Sequence, residues 1–216
     1  MRLAKTLAAA VLGVSLVAMP SAAQRVARFD DSWFWGLKAG VNTFSTGTSG
    51  TASVPSWGLD WLITRDRGGL YVSADQSFFS RTVTESDAAT VSGTRDVRIR
   101  NMNRVGFAMV AFPSRIGIFN PYGGAGAAIS VLGKATAQAD SINGVASRQF
   151  IDETEKARSR ASLLLMVGMQ TQSPRVGFFI QDTMFPGGRD FLVTSSMNLL
   201  EIGVRHSFGS PSERSR

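Results

Sequence analysis

Six charged residues, Lys38, Asp60, Asp75, Arg104, Glu201 and Arg205, stand where a chemistry of enclosed ions is expected. Each lies in a stretch where apolar residues alternate with small or polar ones, and each falls in the polar half. Successive side chains of a β-strand point to opposite faces, so all six belong to one face of a sheet, three of each sign. Enclosed charges must be paired and hydrogen-bonded, because each has given up its hydration. The expected arrangement is a salt-bridged interior that fixes register, with an ion pathway as the alternative.

Other residues with chemical potential do not assemble into a catalytic set. His206, the single histidine, is followed by Ser207. Alternation aims the two at opposite faces, whereas a nucleophile and its base must lie within hydrogen-bond reach. Gly124-x-Gly126 echoes a dinucleotide loop, but Ile129 occupies the third small position and no acid follows about twenty residues on. Those glycines are read as allowing close strand approach or bending. No His/Asp/Glu cluster has metal-ligand spacing. Cysteine is absent, which excludes disulfides, thiolate metal sites and cysteine catalysis. No catalytic residue, cofactor or metal is expected.

The elements that position the charges are legible from the closing segment backwards. Leu200, Ile202, Val204, His206 and Phe208 alternate with Glu201, Gly203, Arg205 and Ser207. An apolar outer face against a charged or tiny inner face inverts the soluble pattern and suits a barrel lying in lipid. Eight such segments are predicted, at about 33–44, 54–64, 70–81, 97–112, 121–133, 161–172, 176–185 and 197–208. Leu62, Leu164, Met166 and Phe179 break the polar face and are read as filling a narrow lumen. The connections alternate long and short, as in transmembrane barrels, and an even strand count puts both termini on the short-turn side. Trp33, Trp35, Trp57 and Phe208 fall near strand ends on the outer face, where amphipathic rings suit the membrane–water interface.

The N-terminus supplies an address. Arg2 and Lys5 precede an apolar run from Thr6 to Ala18, and Met19-Pro20-Ser21-Ala22-Ala23 follows. The run is too short for a spanning helix, which needs roughly 20 residues, so residues 1–23 are read as a secretory signal cleaved near Ala23/Gln24. A segment over 24–32, a barrel over 33–208 and a short polar tail over 209–216 remain. The formal charge is +7, of which Arg2 and Lys5 leave with the signal. A basic balance suits an anionic partner, but no Lys/Arg run interleaved with aromatics points to nucleic acid. The longest connection, Lys134 to Arg160, mixes both signs and is expected to be a solvated, mobile loop.

The signal, the Trp33-to-Val41 opening strand, Pro121-Tyr122-Gly123-Gly124-Ala125-Gly126 and the Leu200-to-Phe208 close together carry a resemblance. The mature chain resembles the small eight-stranded outer-membrane proteins, the family of OmpX and the OmpA membrane domain. That resemblance implies an all-β, antiparallel up-and-down transmembrane barrel in the outer membrane of a Gram-negative-type bacterium. It implies a non-enzymatic, structural or surface-interaction role through the long loops. The implied partners are outer-membrane lipid or lipopolysaccharide, the barrel-assembly machinery during insertion, and an extracellular ligand. The tail past Phe208 departs from many family members, and it is too short for the peptidoglycan-binding domain that follows the OmpA barrel. Two alternatives come from other classes. A lipid-modifying barrel enzyme, such as a deacylase with His, Ser and Glu on the outer wall, is disfavoured by the His206/Ser207 geometry. A soluble lipocalin-like binder is disfavoured by the charges on the inner face.

Overall fold

The computed structural model describes residues 32–46, 50–65, 67–139, 144–171, 176–187 and 196–207. The expected signal, Phe208 and the expected tail lie outside them. Eight strands follow one another: β1 (Trp33–Thr46), β2 (Gly50–Arg65), β3 (Gly68–Ser86), β4 (Thr94–Ala111), β5 (Phe119–Ala137), β6 (Ser159–Thr171), β7 (Val176–Phe185) and β8 (Met197–Ser207). Each pairs antiparallel with the next, and β1 pairs with β8, so the sheet closes into a barrel. Closure removes every edge, which in hydrocarbon would leave backbone groups unpaired. It is an all-β, up-and-down architecture with, among the described residues, one short helix, α1 (Arg148–Lys156), between β5 and β6.

The alternation in sequence becomes two surfaces. Leu37, Leu59, Phe107, Leu163, Phe178 and Ile202 are among the large apolar residues left exposed on the outer wall. Lys38, Asp60, Gln170, Gln181, Glu201 and Arg205 are buried inside. So many exposed aliphatic and aromatic side chains on one continuous wall would be unstable in water, whereas lipid receives them. Close approach between strands depends on small residues. A Cβ on Gly126 would overlap the Phe107 carbonyl, so this glycine serves packing of β4 against β5.

The strands run further past the apolar girdle than alternation suggests. β2 begins at Gly50, β3 ends at Ser86 and β5 ends at Ala137. Backbone pairing needs no apolar face, so Thr82, Thr84, Arg98 and Thr136 carry the ladder onward. The first five connections shorten accordingly to 47–49, 66–67, 87–93, 112–118 and 138–158, while the last two span 172–175 and 186–196. Strict long/short alternation is lost: the β3–β4 and β4–β5 links are equal in length.

The expectation of a solvated loop over Lys134 to Arg160 is also corrected. Lys134 to Ala137 complete β5, and Arg148–Lys156 form α1. The Ser147 hydroxyl caps the helix by accepting from the Phe150 amide. Phe150 and Thr154 are buried, with Phe150 in the apolar cluster inside the long-loop end. There Phe44, Val83, Val97, Ile99, Leu132, Phe185 and Leu199 fill the barrel.

A change of phase makes that apolar layer. Asn101 adopts φ 51°, and the β4–β5 register skips from Arg100↔Lys134 to Met102↔Leu132. Asn tolerates this left-handed conformation better than most residues. Below Asn101, Met102 and Arg104 point in and Val105 and Phe107 point out; above it, Val97 and Ile99 are buried while Arg98 and Arg100 are exposed. A one-residue slip in phase moves every later side chain to the other face. Arg158 secures the break by donating to the Leu132 and Gly133 carbonyls at 2.9–3.3 Å.

Candidate functional site: the ion-filled lumen

The six interior charges are delivered from five strands. β1 carries Lys38, β2 Asp60, β3 Asp75, β4 Arg104, and β8 both Glu201 and Arg205. β7 contributes Gln181 between them. All six charges are at most 6 % exposed. The Lys38 ammonium contacts Asp75 at 2.6 Å and Glu201 at 2.9 Å, and donates to the Tyr71 hydroxyl at 3.0 Å. Lys38 faces Gly203 in the β1–β8 register, two residues from Glu201, so the pair is diagonal. A Cβ on Gly58 would meet the Asp75 carboxylate and the Lys38 stem, so the absent side chain there makes room for the Lys38–Asp75 contact.

Arg205 makes the second cluster. Its guanidinium grips Asp60 through Nε at 3.1 Å and Nη2 at 2.7 Å. It also donates to Gln170 at 2.8 Å, Gln181 at 3.1 Å and the Tyr122 hydroxyl at 3.3 Å. The Phe179 ring lies 3.9 Å from its centre, so a residue that breaks the polar face serves as a cation–π partner. Gln181 joins the clusters, donating from Nε2 to Glu201 and Tyr71 at 2.9 Å each. Leu62, Leu164 and Met166 are buried as well.

Arg104 differs from the other two cations. Among the described residues it forms no ion pair. Its Nε donates to the Ser130 hydroxyl at 3.1 Å, and its guanidinium lies 3.7 Å from the Phe185 ring. Three cations and three acids thus divide unevenly: Lys38 meets two carboxylates, Arg205 one and Arg104 none. Of this partition the sequence offered only Lys38–Glu201, the pair expected once the first strand closes on the last; the shares of Asp75, Asp60 and Arg104 were not legible in it. Tyr71, Tyr122, Gln170 and Gln181 were missed as members. Their signal was polar or hydroxylated side chains on the inner face of alternating segments.

The remaining candidates are dispersed. Trp33, Trp35 and Trp57 are 44–51 % exposed on the outer wall. Trp33 meets Trp61 edge-on and Trp35 stacks on Trp61, both at 5.5 Å, near the short-turn end. Trp57 is not near a strand end, because β2 extends to Gly50. It stands where the outer wall turns polar, and its indole donates to Gln76 at 3.4 Å. His206 is exposed outside and Ser207 buried inside. Among the described residues no group of His, Asp and Glu could hold a metal ion.

A second charged centre stands at the long-loop mouth. Arg95 pairs with Asp87 at 2.8 Å, donates to the Gln138 and Gly144 carbonyls, and lies over the Phe150 ring. The Arg95 guanidinium, helped by the Ala89 amide, holds the Asp87 carboxyl below the usual carboxylate range against the opposing effect of burial.

No family model matches the chain, and no curated protein matches it. Among solved structures, Neisserial surface protein A aligns with a TM-score of 0.54 and 14 % identity, over 82 % of this chain and 97 % of its own. Ail, the attachment invasion locus protein of Yersinia pestis, aligns with a TM-score of 0.50 and 12 % identity, over 83 % and 100 %. The chain has the fold of the small eight-stranded outer-membrane barrels. With its apolar girdle and charged interior, it is a transmembrane β-barrel of the outer-membrane type.

Proposed function

We propose that the protein is a non-enzymatic outer-membrane barrel with a plugged lumen, whose role is structural or lies in surface interaction through its long-loop end. The observation that carries this reading is the connected network from Asp75 through Lys38, Glu201 and Gln181 to Arg205 and Asp60. It spans the interior, while the apolar layer around Ile99, Leu132 and Phe185 fills the barrel above it. Eight strands leave an interior just wide enough for side chains, whereas aqueous channels need about 16. The partners in this reading are outer-membrane lipid or lipopolysaccharide, the assembly machinery during insertion, and an extracellular ligand at the long-loop end. A deacylase-type reading gains no support from His206 and Ser207, which stand on opposite faces.

The test is recording from planar bilayers holding the purified, heat-modifiable protein. A plugged barrel passes no large, steady current. Sustained conductance of wild-type protein, abolished by blocking the lumen, would overturn the reading and favour a pore.

A further inference from the structure

The outer wall over β2–β5 carries an ordered ladder of chemistries from the girdle upward. Its lowest row is Leu59, Ala74 and Val105, direct cross-strand neighbours. Small Ala74 between two larger residues leaves an apolar furrow, the floor of a hollow of about 240 Å³. The next row is Trp57, Gln76 and Asn103, again in register. It offers an indole and two amides at the rim of the same hollow. Above the phase change come Arg100 beside Lys134, then Arg98 beside Thr136. These four line a second hollow of about 370 Å³.

Three cations on the outer wall are not explained by folding. Arg98, Arg100 and Lys134 are exposed, and among the described residues none forms an ion pair. Strict alternation from Arg104 would have turned Arg98 and Arg100 inward; the break at Asn101 sends them out. Asp96, further up the same column, already accepts from Thr84 at 2.8 Å. Three residues separate Asn103 from Arg100, so the cationic cup stands about 10 Å above the amide rim at a strand's rise per residue. Cations just outside the hydrocarbon layer attract anionic headgroups, and guanidinium forks suit phosphate oxygens.

We propose that this ladder is a binding site for one lipid bearing an uncompensated anionic phosphate. An acyl chain lies in the Leu59–Ala74–Val105 furrow, the polar neck meets Gln76 and Asn103, and the phosphate sits among Arg98, Arg100 and Lys134. The proposal rests on the membrane placement and the lipid partner of the proposed function, and adds the site and the anionic phosphate it selects.

The test uses the full mature chain, with folding checked by heat-modifiability, and native mass spectrometry of protein released from mixed micelles. The probe is bisphosphorylated lipid A, with phosphatidylcholine and inorganic phosphate as comparisons. Wild-type protein should retain one lipid A at least tenfold more than phosphatidylcholine. Arg98→Gln/Arg100→Gln/Lys134→Gln should lose that preference, while Arg148→Gln/Lys156→Gln on α1 should keep it. Ala74→Phe, which fills the furrow, should weaken lipid A retention severalfold without altering the cationic cup. Equal retention by the triple variant, or full competition by inorganic phosphate, would overturn the proposal. A wild-type protein that inserts and shifts on gels but retains no lipid A would overturn it and leave the membrane reading intact. Failure to insert into vesicles at all would overturn both.

Discussion

Lys38 is the side chain on which the interior depends most. Replacing it with Met strands both Asp75 and Glu201, and breaking buried pairs in this way costs about 3–5 kcal/mol. Glu201→Gln leaves Lys38 its contact with Asp75, so its cost should be smaller, about 1–3 kcal/mol. A double-mutant cycle read by urea unfolding in lipid should give clear coupling between the two. Additive effects would show that the charges do not meet across the closing strands. Arg104 provides the contrast. Without a carboxylate partner it has little attraction to offset its lost hydration, so Arg104→Met should cost less than about 1 kcal/mol. A loss as large as that of Lys38→Met would mean that Arg104 anchors the network through a contact other than Ser130 and Phe185.

At the scale of elements, closure of β8 on β1 and the cap over the mouth are the vulnerable features. A Cβ on Gly203 would lie 2.6 Å from the Leu37 carbonyl and would strike the Phe179 ring. Gly203→Arg should therefore prevent correct closure, seen as loss of the heat-modifiable band. Normal yield and mobility in that variant would show that position 203 does not face the crowded interior. The cap answers to pH through Asp87. Its folded pKa is depressed, so the Arg95 contact stabilises the cap fully above the ordinary aspartate value of about 3.9. That contribution falls away as pH drops through the lower folded value. Amide exchange at Phe150 and Ile151 should accelerate in that acidic window, and Asp87→Asn should remove the transition. Unchanged protection down to full protonation of Asp87 would mean that Phe150 packing alone holds α1.

For the whole molecule, the apolar wall and the closed ladder make two behaviours inseparable. The mature chain should fractionate with the outer membrane, and the unheated protein should migrate faster than the boiled one. Closed barrels keep compact form until every ladder opens, because no edge is available from which to fray. Recovery of the folded protein from the periplasm without detergent would contradict the lipid-facing reading of Leu37, Phe107, Phe178 and Ile202. The chain length beyond the girdle has a separate effect. β3 to β5 project as a three-stranded extension of the wall, apolar inside and charged outside, with α1 packed against it. Surface chemistry thus stands on paired strands as well as on connecting loops.

Local pattern was enough to give the strand count and the two faces of each strand. Period-two alternation is a local property, and lipid outside with ions inside leaves it a single solution. That is why Glu201 and Arg205, Lys38 and Asp60 could be assigned a common face before any contact was known. It could not reveal where alternation stops. The reversal at Asn101 depends on one backbone conformation, which places Val97 and Ile99 inside and Arg98 and Arg100 outside. Nor could it show that Lys134 to Arg160 is part strand and part helix, since polar composition hid the anchoring of Phe150. Only closure of the barrel decided the partition of charge. Lys38 meets Glu201 because β1 pairs with β8, and Gln181 joins the two clusters because β7 lies beside them. Distances between strands remote in sequence are set by shear and register, which no local pattern encodes.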